Sequence, residues 1–265
     1  MKKYLVIGNP IKHSMSPKIH NYWFKMYKIK ANYTKKKITN NQLKNLINKV
    51  RNKKIDGINI TVPFKDKVIP FIDKLSKEAR IANSVNTIYL SKNRVVGHNT
   101  DISGFCLSIK KKKLNLRKKK ALILGSGGVT PSIIIGLKKL GIKKIIISNR
   151  SKDKALKLKE KFGFLDILDW GKTVKANIII NSTSLGLKKT DNIKIKYNIF
   201  EPESIFYDLI YNPPETNFLK KAKKHSYIFQ NGFMMFIYQA AEAFKTWHNI
   251  KPKVDKNLIQ FLKND

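Results

Sequence analysis

The sequence predicts an α/β protein with two domains, and three observations indicate this class. Strand and helix patterns alternate along most of the chain. An apolar strand at 121–124 runs directly into Gly125-Ser126-Gly127-Gly128, a sequence typical of the first turn in a doubly wound, parallel sheet. The length of 265 residues exceeds the usual size of one domain, about 100–150 residues, so we expect two separate cores.

In the first half of the chain, short apolar runs predict strands and longer periodic runs predict helices. Thr39 and Gln42 have the spacing of a capping box ahead of an apolar stripe at helical spacing in 43–50. We expect strands at 4–7, 32–37 and 57–62, helices at 16–27 and 43–50, a hairpin of strands at 85–90 and 94–98, and a helix at 102–112 that leads out of this domain.

In the second half, strands again alternate with helices, which favours a parallel, doubly wound sheet. The helix after the glycine-rich turn runs to Leu140, and Gly141 is its expected stop. Further strands are expected at 144–148, 177–181, 204–208 and 227–230, followed by a long helix at 233–247.

The net charge of +38 would suit a nucleic-acid partner, but the basic residues are diffuse. Only 5 of the 55 basic residues are arginine, the residue that makes most bidentate contacts to bases and phosphates. Lysine, asparagine and isoleucine are all encoded by A/T-rich codons, so a biased genome accounts for the excess. We therefore expect no nucleic-acid partner.

The single cysteine, Cys106, excludes an internal disulfide and fits a reducing compartment. No stretch approaches the roughly 20 apolar residues of a membrane span. His13, His20 and His98 lack metal-ligand spacing. These observations predict a cytoplasmic protein with no metal site and no membrane association.

The glycine-rich turn is a candidate dinucleotide site, because glycines let backbone N–H groups at a helix start approach a pyrophosphate. Thr130 occupies the place of the third glycine in the usual pattern, so an ordinary turn is the alternative. The next strand ends in Asn149-Arg150-Ser151, with no acidic residue for the ribose hydroxyls of NAD. A guanidinium can bind a 2′-phosphate, which favours NADP; Lys154 adds charge there or is ordinary surface.

Lys65 and Asp101 are the best candidates for chemistry. Each follows a short strand at a polar turn, beside residues that hydrogen-bond small oxygenated molecules, namely Asn59, Thr61, Asn86 and Asn99. A lysine ammonium can donate a proton and stabilise a growing negative charge. The alternatives are a solvated lysine at 65 and a helix N-cap at Asp101.

Near the N-terminus, Ser14-Met15-Ser16-Pro17 lies between a strand and a helix. Ser16 is the expected N-cap, with Pro17 at the first helical position, and this capping role leaves Ser14 unexplained. Two hydroxyls beside the positive end of a helix would also suit a carboxylate.

Taken together, these residues resemble the shikimate dehydrogenase family, NADP-dependent enzymes that reduce 3-dehydroshikimate to shikimate. The resemblance covers essentially the whole chain. It is carried by segments that occur in family order at 10–21, 59–65, 84–87, 97–101, 125–128, 149–151, 181–186, 208–216 and 231–244.

The resemblance implies a substrate-binding domain of residues 1–101 plus 233–265, an NADP-binding domain of 102–232, and an active site in the cleft between them. It implies that Ser14 and Ser16 hold the substrate carboxylate and that Lys65 contacts substrate. The ring hydroxyls would be held by Thr61, Asn86, Asp101, Tyr211 and Gln239. The cofactor would be contacted by the glycine-rich turn with Val129, by Asn149, Arg150, Ser151 and Lys154, and by Thr183, Leu209 and Gly232.

Some positions depart from the family pattern, including Phe236, where leucine is usual. Two other functions remain as alternatives: a paralogue that oxidises quinate or uses NAD, and a basic, non-catalytic nucleic-acid-binding protein. The expected ligand is a small molecule. The oligomeric state is open, with a homodimer as one candidate.

Overall fold

The computed structural model describes residues 1–264, which divide into two units. The first comprises Met1–Gly104 and the C-terminal segment from Ile237, and the second comprises Phe105–Phe236. The domain boundaries expected for substrate and cofactor binding, after 101 and 232, fall within a few residues of these limits. That the two units bind substrate and cofactor, respectively, stays a prediction.

The first unit is built on a six-stranded sheet with the order β2-β1-β3-β5-β6-β4. β1, β2 and β3 are parallel, whereas β5 is antiparallel to both β3 and β6. The elements are β1 (Lys2–Gly8), α1 (Ser16–Met26), β2 (Ala31–Lys37), α2 (Leu43–Arg51), β3 (Gly57–Ile60), β4 (Lys74–Leu75), α3 (Lys77–Ala82), β5 (Thr87–Ser91) and β6 (Arg94–His98).

Both faces of this sheet are covered. On one face, Leu5 and Ile7 of β1 pack with the buried stripe of α2, Leu43, Leu46, Ile47 and Val50. The capping box ahead of α2 is confirmed, because the Thr39 N–H donates to Gln42 Oε1 at 3.0 Å. The opposite face is aromatic, since the ring of Tyr4 in β1 contacts Phe24 of α1 and Trp247.

The chain enters the second unit along α4 (Asp101–Lys111) and returns along α8 (Phe233–His248). Between them lie β7 (Lys120–Leu124), α5 (Thr130–Lys139), β8 (Lys144–Ser148), α6 (Lys152–Phe162), β9 (Leu165–Leu168), β10 (Ile178–Asn181), β11 (Ile205–Asp208), α7 (Asn217–Lys224) and β12 (Ile228–Gln230). After α8, the helix α9 (Lys256–Lys263) belongs to the first unit.

The second sheet confirms the doubly wound, parallel arrangement. Its order is β12-β11-β10-β7-β8-β9, and every neighbouring pair is parallel. From β7 the chain builds outward through β8 and β9, and it then returns to place β10 on the other side of β7. This reversal creates a topological switch point, and ligands of such sheets bind there, beyond the carboxyl ends of the strands.

The structure differs from the expected elements in several places. The strand expected at 57–62 ends at Ile60, because Thr61 and the residues after it form a turn. Ser16 is not the N-cap of α1, since that position is Met15 and Ser16 is already helical. Several elements were given no bounds from the sequence, among them the short β4, α3, β9 and α9. Among residues 1–264, no helix combines the length and apolar character needed to cross a membrane.

Candidate active site

Lys65 and Asp101 form a largely buried ion pair in the first unit. Lys65 Nζ lies 2.6 Å from Asp101 Oδ2, and the two side chains are only 11% and 8% exposed. The second carboxylate oxygen accepts a hydrogen bond from Asn86 Nδ2 at 2.9 Å. A charge-assisted contact of this kind holds the ammonium in one position, since water does not compete for it effectively.

The local structure of α4 explains why the Asp101 carboxylate is available to Lys65. Asn99 Oδ1 accepts the backbone N–H groups of Asp101 at 3.1 Å and Ile102 at 3.3 Å, so Asn99 caps the helix. The alternative that Asp101 caps α4 is therefore wrong. On the lysine side, the Val85 N–H donates to the Lys65 carbonyl at 2.7 Å, and the preceding Phe64 side chain is buried.

Asn86 is the centre of the hydrogen-bond network around this pair. Its Nδ2 lies 3.0 Å from Thr100 Oγ1 and 3.4 Å from Gln239 Oε1, in addition to its contact with Asp101. Its Oδ1 accepts the Thr100 N–H at 2.8 Å. Gln239 belongs to α8, so this helix completes the network. Thr100 was not singled out from the sequence, although it lies beside Asp101.

Ser14, Ser16 and Thr61 lie at the carboxyl ends of β1 and β3. Ser14 Oγ accepts the backbone N–H of Ser16 at 3.3 Å, so Ser14 takes the capping contact that was expected of Ser16. The Thr61 N–H donates to the carbonyl of Ile7 at 2.9 Å. A Cβ atom on Gly8 would overlap the Thr61 side chain, so this close approach requires glycine.

Tyr33 connects the serines to the Asn86 network, a link that the sequence did not reveal. The Tyr33 hydroxyl hydrogen-bonds to Ser16 and donates to Asn59 Oδ1 at 2.6 Å. Asn59 Nδ2 in turn donates to Thr87 Oγ1 at 3.0 Å. Burial raises the pKa of Tyr33 well above its usual value, so the phenol keeps its proton.

His20 stacks on the Tyr33 ring, with centroids 4.4 Å apart and planes 1° from parallel. It is fully buried, and among residues 1–264 neither of its ring nitrogens has a hydrogen-bond partner. Burial, with a smaller contribution from His248, lowers the pKa of His20 to about 3. His20 is therefore a neutral part of the aromatic core beneath this network.

In the second unit, the glycine-rich turn follows β7 and faces the loop after β10. Gly125 has φ of +108°, and a Cβ there would lie 2.8 Å from Thr183 and 2.9 Å from Ser182. No atom of residues 1–264 lies within 4 Å of a Cβ built on Gly128, so the turn is open on that side. Ser126 Oγ is buried and has no partner among residues 1–264. An open turn with an unsatisfied hydroxyl fits the pyrophosphate of a dinucleotide.

Thr130 explains the missing third glycine. It is fully buried, its Oγ1 donates to the Gly125 carbonyl at 3.3 Å, and it lies 2.7 Å from Ser182 Oγ. Thr130 thus ties the glycine-rich turn to the loop after β10. Val129, just before it, is the N-cap residue of α5.

The candidate 2′-phosphate site follows β8, the strand next to β7. Arg150, Ser151 and Lys154 are exposed, and Asn149 Nδ2 donates to the Ser151 carbonyl at 2.8 Å. Ser151 makes no side-chain cap on α6, so its hydroxyl is not used by the helix. The exposed guanidinium, without an acidic residue at 149–151, suits a phosphate better than a pair of ribose hydroxyls.

Thr183, Leu209 and Gly232 lie in adjacent loops. Asn181 Oδ1 accepts the Thr183 N–H at 3.0 Å and its hydroxyl at 2.7 Å, and the Leu209 N–H donates to the Asn181 carbonyl at 3.0 Å. A Cβ on Gly232 would overlap the Leu209 carbonyl oxygen. Tyr211 stacks on Phe236 with centroids 5.0 Å apart, so the unusual phenylalanine contacts a residue expected to bind substrate.

The predicted residues thus form two groups. In the first unit, Lys65, Asp101, Asn86 and Gln239 contact one another, and Tyr33 and Asn59 lead from them to Ser16. In the second unit, the glycine-rich turn lies against Thr183. Cys106 packs near the Gly136 carbonyl, and burial raises its thiol pKa, as expected for a structural cysteine. Within residues 1–264, no cluster of three or more His, Cys, Asp or Glu could hold a metal ion.

The comparisons with known proteins show the family of the chain. A sequence model described as the shikimate dehydrogenase substrate binding domain matches residues 6–88, and one described as shikimate / quinate 5-dehydrogenase matches residues 108–205. A relative named shikimate dehydrogenase (NADP(+)), from Pelagibacter ubique, is 56% identical over 261 residues, which span 98% of each chain. The chain belongs to the shikimate dehydrogenase family.

Solved structures of shikimate dehydrogenases share the fold. The Thermus thermophilus structure, in complex with NADP(H) and shikimate, matches with a TM-score of 0.90 at 29% identity, over 99% of each chain. The Listeria monocytogenes structure, in complex with shikimate and NAD, also has a TM-score of 0.90, at 27% identity over 99% of this chain and 96% of that one. The family fold of two α/β domains is confirmed.

Proposed function

We propose that this protein is an NADP-dependent shikimate dehydrogenase, which reversibly reduces 3-dehydroshikimate to shikimate in the cytoplasm, as part of the pathway to chorismate and the aromatic amino acids. One observation supports this most directly. The buried Lys65–Asp101 pair, 2.6 Å apart, lies among amide and hydroxyl groups in the unit that matches the substrate binding domain of the family.

Reduction of a ketone needs a hydride at carbon and a proton at oxygen. NADPH, when bound, supplies the hydride. Lys65 donates the proton to the oxygen on which negative charge develops, and its ammonium stabilises that charge. Asp101 orients the ammonium through the 2.6 Å contact, while Asn86 holds the other carboxylate oxygen in place. In the reverse direction, Lys65 accepts the proton of the substrate hydroxyl.

The substrate's polar groups match the polar groups around this pair. Ser14 and Ser16, at the start of α1, bind the carboxylate, because two hydroxyls and a helix N-terminus favour negative charge. Thr61, Asn86, Asp101 and Gln239 bind ring hydroxyls of the substrate. Tyr211 is a further hydroxyl ligand by resemblance to the family. These assignments are supported by position. Ser14 and Ser16 lie at the start of α1, Gln239 of α8 contacts Asn86, and the other side chains lie just before or after strands.

The cofactor-binding residues are those of the second unit. Backbone N–H groups of the glycine-rich turn through Val129, with the Ser126 hydroxyl, bind the pyrophosphate. Arg150 grips the 2′-phosphate, and Asn149, Ser151 and Lys154 add donors or charge. Leu209 and Gly232 border the nicotinamide, with Thr183 near the cofactor. The exposed Arg150, with no acid beside it, supports NADP over NAD.

One assay tests this proposal and the alternatives. The purified protein should oxidise NADPH with 3-dehydroshikimate, react more slowly with NADH, and show little activity in reverse with quinate. A preference for quinate and NAD would favour the paralogue. The use of NAD is tested because the Listeria monocytogenes structure is in complex with shikimate and NAD. Steeply salt-dependent binding of DNA without turnover would favour the non-catalytic alternative. Folded protein without turnover would contradict the proposed function.

A further inference from the structure

The carboxylate of Asp208, in the second unit, has no role in the function proposed above. It lies at the carboxyl end of β11 and is fully buried. We propose that Asp208 is a positioning residue that fixes the two loops bordering the nicotinamide end of the cofactor. This inference rests on the proposed function for the identity of the cofactor, but the geometry of the loops is independent of it.

The partners of Asp208 are three neutral donors. Its Oδ2 accepts the Thr216 hydroxyl at 2.6 Å, and its Oδ1 accepts Asn181 Nδ2 and the Ile210 N–H, both at 3.0 Å. Burial raises the pKa of Asp208, although these hydrogen bonds oppose the shift. A carboxyl group in this setting is unfavourable for stability compared with an apolar residue, so its presence calls for another explanation.

The first arm of the network runs through Asn181 to Thr183. A carboxylate only accepts hydrogen bonds, so Asp208 selects the amide face of Asn181. The same Nδ2 also donates to the Leu185 carbonyl at 2.9 Å. The Asn181 oxygen is thereby turned toward Thr183, where it accepts both the backbone N–H and the hydroxyl. The Leu185 N–H then donates to Thr183 Oγ1 at 3.0 Å, which closes the loop on itself.

The second arm holds the loop after β11. Asp208 accepts the Ile210 N–H, and the Leu209 N–H donates to the Asn181 carbonyl. Leu209 is therefore fixed from both sides, and its carbonyl is the atom against which Gly232 packs. Thr216 anchors the far end of this loop and also caps α7 through the Leu219 N–H at 3.4 Å.

The location of these loops indicates what the network is for. β10 adjoins β7 at the switch point of the sheet, and β11 lies beside β10. The loop after β10 contacts the glycine-rich turn so closely that Gly125 has no room for a Cβ beside Thr183. Asp208 is fully buried and does not reach a ligand itself. It acts by setting Thr183 and Leu209 relative to the turn that binds the pyrophosphate.

The test compares the whole cofactor with a fragment that lacks nicotinamide. Dissociation constants of NADPH and 2′-phospho-ADP-ribose are measured by calorimetry for the wild type, Asp208→Asn, Asp208→Ala and a matched control, Asp166→Asn. Asp166 is a carboxylate on the same sheet, paired with Lys144 at the exposed surface. Hydrogen exchange of residues 181–186 is followed by mass spectrometry in the same four proteins.

Asp208→Asn keeps one acceptor oxygen and Asp208→Ala keeps none, so the effect should be graded. We expect NADPH binding to weaken about 3-fold in Asp208→Asn and about 10-fold or more in Asp208→Ala, with the fragment's affinity changing less than about 2-fold. Residues 181–186 should exchange faster in both Asp208 variants. Asp166→Asn should match the wild type in every measurement.

Equal weakening of NADPH and fragment would indicate a general structural role and would overturn the proposal. If Asp208→Ala does not fold, Asp208→Asn decides, and an unchanged NADPH affinity with unchanged exchange would overturn it. Failure of the wild type to bind NADPH would instead contradict the proposed function. Hydrogen exchange of residues 181–186 would still decide whether Asp208 fixes the loop after β10.

Discussion

The candidate substrate site of the first unit and the candidate cofactor site of the second are built in different ways. Around Lys65, side chains already satisfy one another through the contacts of Asp101, Asn86 and Gln239. Around Gly125, the proposed binding groups are backbone atoms, a buried Ser126 hydroxyl with no partner among residues 1–264, and the exposed Arg150. The first arrangement favours precise orientation of a reacting group, and the second leaves polar groups ready for a long anionic ligand.

Among variants of the two candidate sites, we expect Lys65→Ala to have the largest effect. Loss of the proton donor should lower kcat at least about 100-fold with a modest change in KM, because the interaction matters most in the transition state. Steady-state kinetics with 3-dehydroshikimate measure this. Lys67→Ala, at an exposed lysine nearby, is the control. A kcat close to that of the wild type would remove Lys65 from the mechanism.

Gly125→Ala tests whether backbone geometry builds the cofactor site. The new methyl group would strain a residue with φ of +108° and would press on Ser182 and Thr183. We expect the dissociation constant of NADPH to rise about 10-fold or more, while shikimate binding changes little. Gly171→Ala is the matched control, since Gly171 also has a positive φ, +86°, but no atom of residues 1–264 lies within 4 Å of a Cβ built on it. Equal effects of the two variants would mean that strain alone is responsible.

Arg150→Ala tests the proposed contact to the 2′-phosphate in the cofactor site. Removal of a charge-assisted contact to the 2′-phosphate should weaken NADPH binding about 10-fold and leave NADH binding nearly unchanged. Fluorescence titration with both cofactors measures the difference. Arg94→Ala, at an exposed arginine of the first unit, should change neither affinity. Equal weakening of NADPH and NADH would refute the 2′-phosphate assignment.

The smallest effect at neutral pH is expected for His20, in the aromatic core beneath the candidate substrate site. The folded pKa of His20, about 3, lies below the value of 6.5 expected in the unfolded chain. The unfolded state therefore takes up a proton that the native state refuses, so stability present above pH 6.5 is lost as pH falls toward 3. The loss from His20 reaches about 5 kcal/mol at the acid end.

Replacement of His20 should make the free energy of unfolding less dependent on pH in the acid range. His20→Phe keeps a ring against Tyr33 and has no titrating nitrogen, so its free energy of unfolding should fall less between pH 6.5 and 3 than that of the wild type. Urea unfolding across this range measures the difference. His13→Phe, at an exposed position, is the control. If the free energy of unfolding depends on pH in the same way in His20→Phe and the wild type, the expected destabilisation by His20 at acid pH is contradicted.

The sequence alone predicted much of both candidate sites, because their residues occur in recognisable local settings. Lys65 and Asp101 follow short strands, and Gly125 lies between a strand and a helix. Local patterns were less reliable where two neighbours compete for one task. Asn99 rather than Asp101 caps α4, and Ser14 rather than Ser16 supplies the capping oxygen at α1. In each pair, both side chains carry an oxygen that can accept a backbone N–H, so only the path of the chain decides which one does.

Tertiary structure alone decided the connections within each site. Tyr33 links Ser16 to Asn59, Asn86 reaches Gln239 across 153 positions of sequence, and Asp208 turns Asn181 toward Thr183. Residue types and strand ends therefore determined the class of fold, and they predicted a preference for NADP and a candidate acid. A hydrogen bond, however, requires two atoms within about 3 Å, and only the folded chain sets that distance between residues far apart in sequence.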